Sequence, residues 1–160
     1  MAKALVTLIL SFFALLAISE GATSPLNQAD ALIQVVDDIN VFRAANPDIK
    51  LIPLEVGSQT KNARQQITYA IGNRQSGDRL VSVNQDSASW PTLQDVKLTL
   101  SYPVSGVGAV VTYVEIVVQQ SSNIGRGYVV AGGIGQRFIQ VIIEANATSY
   151  FSYSAQIFGK

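Results

Sequence analysis

Few residues in this chain could carry chemistry, and their types narrow the field at once. The 160 residues contain no histidine and no cysteine. Ser-His-Asp and Cys-His nucleophile systems, zinc sites of Cys or His, and thiolate redox are therefore excluded. Carboxylates, lysine and tyrosine remain. Glu115 and Glu144 stand on different strand-like runs and could face each other across a sheet, as the two carboxylates of a glycosidase flank the scissile bond. No aromatic platform clusters near them, so exposed strand positions are the better account. Asp37 and Asp38 are adjacent, but neighbouring helix residues point apart and do not share a substrate; a solvated face explains them. Gly132-Gly133-Ile134-Gly135 resembles a phosphate cradle only in its glycines. A β run follows instead of a helix, and no Lys-Ser/Thr pair closes it. A hairpin turn using glycine's freedom at positive φ is the reading that fits. No catalytic motif, metal set or cofactor site emerges.

The elements that would position these residues are mostly strands. Ile67, Tyr69 and Ile71 alternate with Thr68 and Ala70, and residues 72–78 form a turn-rich break. Further runs cover residues 80–83, 96–101, 110–119, 126–131, 138–145 and 150–158. In the fourth, Val110, Val114, Ile116 and Val118 face the core, with Thr112 among them and Glu115 outward. Seven such runs separated by turn signals predict an all-β fold, a single antiparallel sandwich or barrel spanning residues 66–160. No amphipathic helix separates the runs, which excludes a βαβ protein.

Residues 20–65 read differently. Ser24-Pro25 suits a helix start, and Leu26, Ala29, Leu32, Ile33, Val36, Ile39 and Phe42 recur at helical spacing. One amphipathic helix is expected, although Val35, Val36, Ile39 and Val41 also suit a strand. Residues 47–65, punctuated by Pro47, Pro53 and Gly57, read as a linker with one short extended piece at 50–56.

The first nineteen residues read as an address. Lys3 precedes an uncharged apolar run over residues 4–18, too short for a comfortable membrane span, and small residues close it. Cleavage is expected after Ser19, leaving a near-neutral mature chain without a membrane span and with one more acidic than basic residue, or after Gly21. Such a balance offers no basic face for nucleic acid. A secreted domain of this size can bury its core without disulfides. Asn146-Ala147-Thr148 is its one N-x-[ST] sequon, expected in an exposed turn between the sixth and seventh strands and open to glycosylation.

The glycine-rich places carry one resemblance. Residues 71–81, with Gly72, Arg74, Gly77 and Asp78 in a "G-x-R-x-x-G-D-x-L" arrangement, resemble a segment of the insect multiprotein bridging factor 2 family. Gly127-Tyr128, then Gly132, Gly133, Gly135 and Gln136, then the closing run to Gly159, resemble that family's C-terminal half in order and spacing. The likeness spans residues 66–159 and implies no catalytic or ligand residues. On physical grounds the glycines are turn formers, and Arg74 and Asp78 are placed to pair across their loop. The resemblance implies either of two functions. One is a secreted, non-enzymatic insect protein of haemolymph, gut or saliva, acting on an unknown protein or small-molecule partner. The other is a transcription coactivator bridging a nuclear receptor and the general transcription machinery. The secretory order at residues 1–19 and the lack of a Lys/Arg cluster favour the first.

Overall fold

A computed structural model describes residues 28–38, 40–48, 51–60 and 65–160. The expected signal segment, its two expected cleavage positions and the expected helix start at Ser24-Pro25 lie outside the described residues. The chain runs β1 (Asp30–Val36), α1 (Val41–Ala45), β2 (Ile52–Pro53), β3 (Glu55–Thr60), β4 (Gln65–Gly72), β5 (Arg79–Tyr102), β6 (Val111–Gln120), β7 (Gly125–Gly132) and β8 (Ile139–Gly159). All eight strands join one antiparallel sheet that does not close into a barrel.

Two long strands organise it. β5 has 24 residues and β8 has 21, and they pair with each other along both halves. Residues 79–89 of β5 pair with 150–159 of β8, and that half of β8 pairs on with β6, β4 and β3. Residues 96–102 of β5 pair with 139–145 of β8, flanked by β1 on one side and β7 and β2 on the other. Between the halves the register breaks across Ser89 to Gln94, where Pro91, which has no ladder N–H to give, is accommodated. Opposite this break Ala147 adopts φ 49°. The sheet thus bends over itself into two facing layers. Their inner faces share one core, in which Tyr69, Ile116 and Val118 of the first layer meet Leu98, Val141 and Ile143 of the second.

Period-two alternation explains why these runs became strands. In β6, Val114, Ile116 and Val118 are buried while Tyr113, Glu115 and Val117 are half-buried on the other side. The separate runs at 80–83 and 96–101 prove to be one strand, because the Ser- and Ala-containing stretch between them continues the ladder to the bend.

The expected helix over residues 26–42 is corrected. Residues 30–36 form β1, each residue paired in register with 95–101 of β5. Ile33, Val35 and Val36 satisfy a strand as well as a helix, and the open edge of β5 decides between them by pairing the backbone. Only one turn of helix follows, α1, begun by Asp38, whose Oδ1 accepts the Asn40 N–H at 2.8 Å. The expected linker is corrected too: it contains β2 and β3. Pro53 sits on an edge strand, and the register shifts between Val56 and Ser58, around Gly57. Ala29 and Leu54 enter the same core as the later strands. Among the described residues no helix is long and apolar enough to cross a membrane.

Candidate functional site

Among the described residues, the bend sets the chain reversals at two ends of the sheet. At the end away from the bend lie the β4–β5 loop, the β5–β6 loop, the β7–β8 loop and the last residues of β8. The two glycine segments, some 60 positions apart in sequence, meet here.

The first segment turns at Gly72, φ 79°, where a Cβ would stand 2.3 Å from the Thr112 carbonyl oxygen. Only glycine lets the chain pass so close. The Asn73 N–H donates to that same oxygen. Arg74 then forks onto Asp78, Nε to Oδ1 at 3.0 Å and Nη2 to Oδ1 at 2.8 Å. Asp78 Oδ2 also accepts the Gln75 N–H at 2.8 Å and the Thr112 hydroxyl at 3.0 Å. The Arg74 guanidinium lies 3.7 Å from the centre of the Phe158 ring, which also meets Tyr113. One carboxylate therefore holds the loop, β6 and, through Arg74, the end of β8.

The second segment clips onto the same strand. Gly132, at φ 65°, would bring a Cβ within 2.2 Å of the Phe138 carbonyl oxygen. Gly133 donates to that oxygen, Gly135 N–H donates to Val111 O at 2.8 Å, and Val111 N–H donates to Gln136 O at 2.8 Å. Ile134 reaches back over Gly72. The β5–β6 loop joins through Arg137, whose Nη1 donates to Gly108 O at 3.1 Å, and through Tyr102, whose hydroxyl accepts the Ala109 N–H. The structure thus brings together Gly72, Arg74, Gly77, Asp78, Gly132, Gly133, Gly135 and Gln136 in one interlocked platform. Sequence reading missed Thr112, Phe158 and Arg137 as its partners. Thr112 was visible as the polar residue in an otherwise apolar inward row.

The guanidinium of Arg74, followed by the Gln75 N–H, holds the Asp78 carboxyl well below its ordinary value, at about 2. The sign follows from that depression. Asp78 contributes stability that is present above about pH 4 and lost as pH falls toward 2. Loop order, read from the amide signals of Asn73 to Asp78 by NMR, is therefore expected to stay constant from pH 8 to 5 and decay only below pH 4. Decay centred near pH 6 would contradict the clamp.

The remaining candidates are dispersed. Glu115 lies on the outer face of the first layer and accepts the Tyr113 hydroxyl at 2.9 Å. Glu144 is corrected from an exposed to a buried residue, 2% exposed, on the non-core side of the second layer. Its register partners are Lys97 and Arg126, and Arg126 Nε lies 3.7 Å from its Oε2. The two glutamates face away from each other across the thickness of both layers, so they flank no common substrate. Asp37 and Asp38 border a cavity of about 370 Å³ with Val35, Val41 and Lys97, rather than a simple solvated face. Asn146 is also corrected. It lies within the continuous β8 at the bend, not in a hairpin turn, and its Nδ2 donates to Asp95 Oδ1 at 2.8 Å. The Thr148 hydroxyl is buried and donates to Tyr150 O. Among the described residues no group of three Asp or Glu is placed to hold a metal.

Fold and site together define a class: an all-β antiparallel protein whose two glycine segments build one loop platform. The sequence profile described as transcription activator MBF2 matches residues 71–159. That is more than half of the chain, and the chain belongs to this family. The match begins at the turn that Gly72 makes and ends where β8 ends, so it covers the whole platform and both long strands. No curated protein and no solved structure matches the chain.

Proposed function

We propose that the chain is an exported, non-enzymatic binding protein of an insect fluid that works through the loop platform. The observation that carries this reading is the use made of the matched residues. Gly72, Asp78 and Gly132 fix backbone and hydrogen bonds at a solvent-facing tip, while the carboxylates that could do chemistry are scattered over opposite faces. The secretory order of residues 1–19 supports the exported reading. Asn146 is the candidate glycan acceptor on that route; its amide carries two hydrogens, of which Asp95 takes one.

A second reading has its own support. The family description names a transcription activator, and a coactivator need not touch DNA. Separating the two calls for immunoblots of cells, nuclei and medium, together with a panel of glycosides and esters. A trimmed product in the medium without turnover is expected. Turnover lost in Glu115→Gln would overturn the non-enzymatic part, and a full-length nuclear product would overturn export.

A further inference from the structure

We propose that β1 pairs edge to edge with β1 of a second copy, joining two chains in a symmetric dimer; this stands independently of the loop platform. Among the described residues β1 ends the strand order, with β5 on one side and an open edge on the other. The other outer edges are blunted. β2 is two residues long and includes Pro53, and β3 breaks register between Val56 and Ser58. Residues 79–89 of β5 break register between Leu80 and Ser82, and Ala29 crosses their edge. Its N–H donates to Ser82 Oγ at 2.8 Å, and Asn84 Nδ2 donates to its carbonyl at 2.9 Å. Each device keeps a further strand from joining. β1 has none of them. Its seven residues hold one unbroken register with β5, and residues 31–36 contain no charge, proline or glycine. Leu32 and Val35, on its two faces, are 55% and 45% exposed. So flat and apolar an edge is a template for one more strand.

The strand's own sequence points to a second copy as that partner. Turned about a two-fold axis, β1 lies antiparallel to itself, and only registers centred on a residue keep core-facing side chains beside core-facing ones. Centred on Ile33, the middle of the seven, the whole of β1 is paired. Ile33 then meets Ile33, Ala31 meets Val35, Leu32 meets Gln34, and Asp30 falls opposite Val36. Centring on Gln34 would set Asp30 opposite Asp38, a like-charge pair on both sides of the axis. Centring on Leu32 would draw in Gln28 and Ala29, whose backbones already bond Val104, Ser82 and Asn84. One register therefore uses the full strand, and in it each copy covers the exposed Leu32 and Val35 of the other. Ala31 and Ile33 already pack on the core, so the pairing carries that core across the axis. Both edges are consumed at once, and the assembly stops at two chains.

The test is sedimentation velocity on the protein as cells deliver it. One strand a side makes a small interface, so dissociation is expected at about 100 μM. Added salt should tighten the dimer, because Asp30 of one copy comes near Asp37 and Asp38 of the other at both ends. Leu32→Glu should weaken association more than about tenfold, since it sets two carboxylates diagonally across the axis, about 7–8 Å apart. Val56→Glu, equally exposed on the bulged edge of β3, should leave association unchanged. The chain holds no cysteine, so introduced thiols report the register. Leu32→Cys mixed with Gln34→Cys should oxidise to the mixed dimer about fivefold over either like dimer, because only the mixed pair stands directly opposite. A statistical mixture of the three dimers, or equal losses in Leu32→Glu and Val56→Glu, would overturn the proposal. So would a monomer at every concentration up to about 1 mM. A monomer whose outward β1 amides resist hydrogen exchange would also overturn it, and would place another segment of the same chain on this edge.

Discussion

Gly72→Val is expected to remove about 4 kcal/mol of stability or to prevent folding. Two costs add at this position: about 1–3 kcal/mol for a branched residue held at positive φ, and a comparable amount for overpacking. The overpacking is against backbone, since a Cβ would lie 2.3 Å from Thr112 O and 2.7 Å from Ile134 Cδ1, and the carbonyl cannot rotate away without breaking the Asn73 bond. Gly77→Val separates the terms. Gly77 has nearly the same φ, 80°, but nothing within 4 Å of an added Cβ, so it should lose only the conformational part, about 1–2 kcal/mol. Urea unfolding of the three proteins measures both. Equal losses at the two positions would mean that Gly72 serves as a flexible turn residue and not as the contact between the two segments.

Phe151→Ala carries the other large effect, about 4 kcal/mol. Phe151 is fully buried just past the bend, where β8 passes from one layer to the other, and its ring meets Tyr153 at 6.5 Å. Its loss leaves a cavity between layers that share both long strands, so neither layer can collapse independently to fill it. Leu93, on the facing stretch of β5 but 66% exposed, should tolerate alanine within about 0.5 kcal/mol. Denaturant midpoints for the pair decide the matter. A small effect at Phe151 would place the core elsewhere than between the layers.

These two positions also show what was legible in the sequence. Alternation in residues 67–71, 110–119 and 150–158 is the direct signature of a sheet with one buried face, and the class follows from it. The bend is not legible. Trp90-Pro91-Thr92-Leu93 reads as a break between strands, and only pairing with β8 on both sides shows one strand turning a corner. The first strand was misread because Leu32, Ile33 and Val36 fit both periods, and the free edge of β5 that settles the choice is more than 60 residues away. Glu144 was misplaced by assuming one wet face per strand. The unbroken Val141-Ile142-Ile143 run beside it marks a strand buried on both sides, and that signal was available. At the platform the glycines and the Arg74–Asp78 spacing were readable locally. Their meeting was not, because it is made by backbone bonds of Val111 and Thr112 that leave no mark on side-chain type.

Export is the part of the proposed function on which everything else depends, and the first residue of the natural protein tests it most directly. Mass spectrometry of the N-terminal peptide is expected to find a chain beginning at Glu20 or Ala22, recovered from extracellular fluid. A chain that keeps residues 1–19 and is recovered from nuclei would contradict export and assign the platform to the coactivator role.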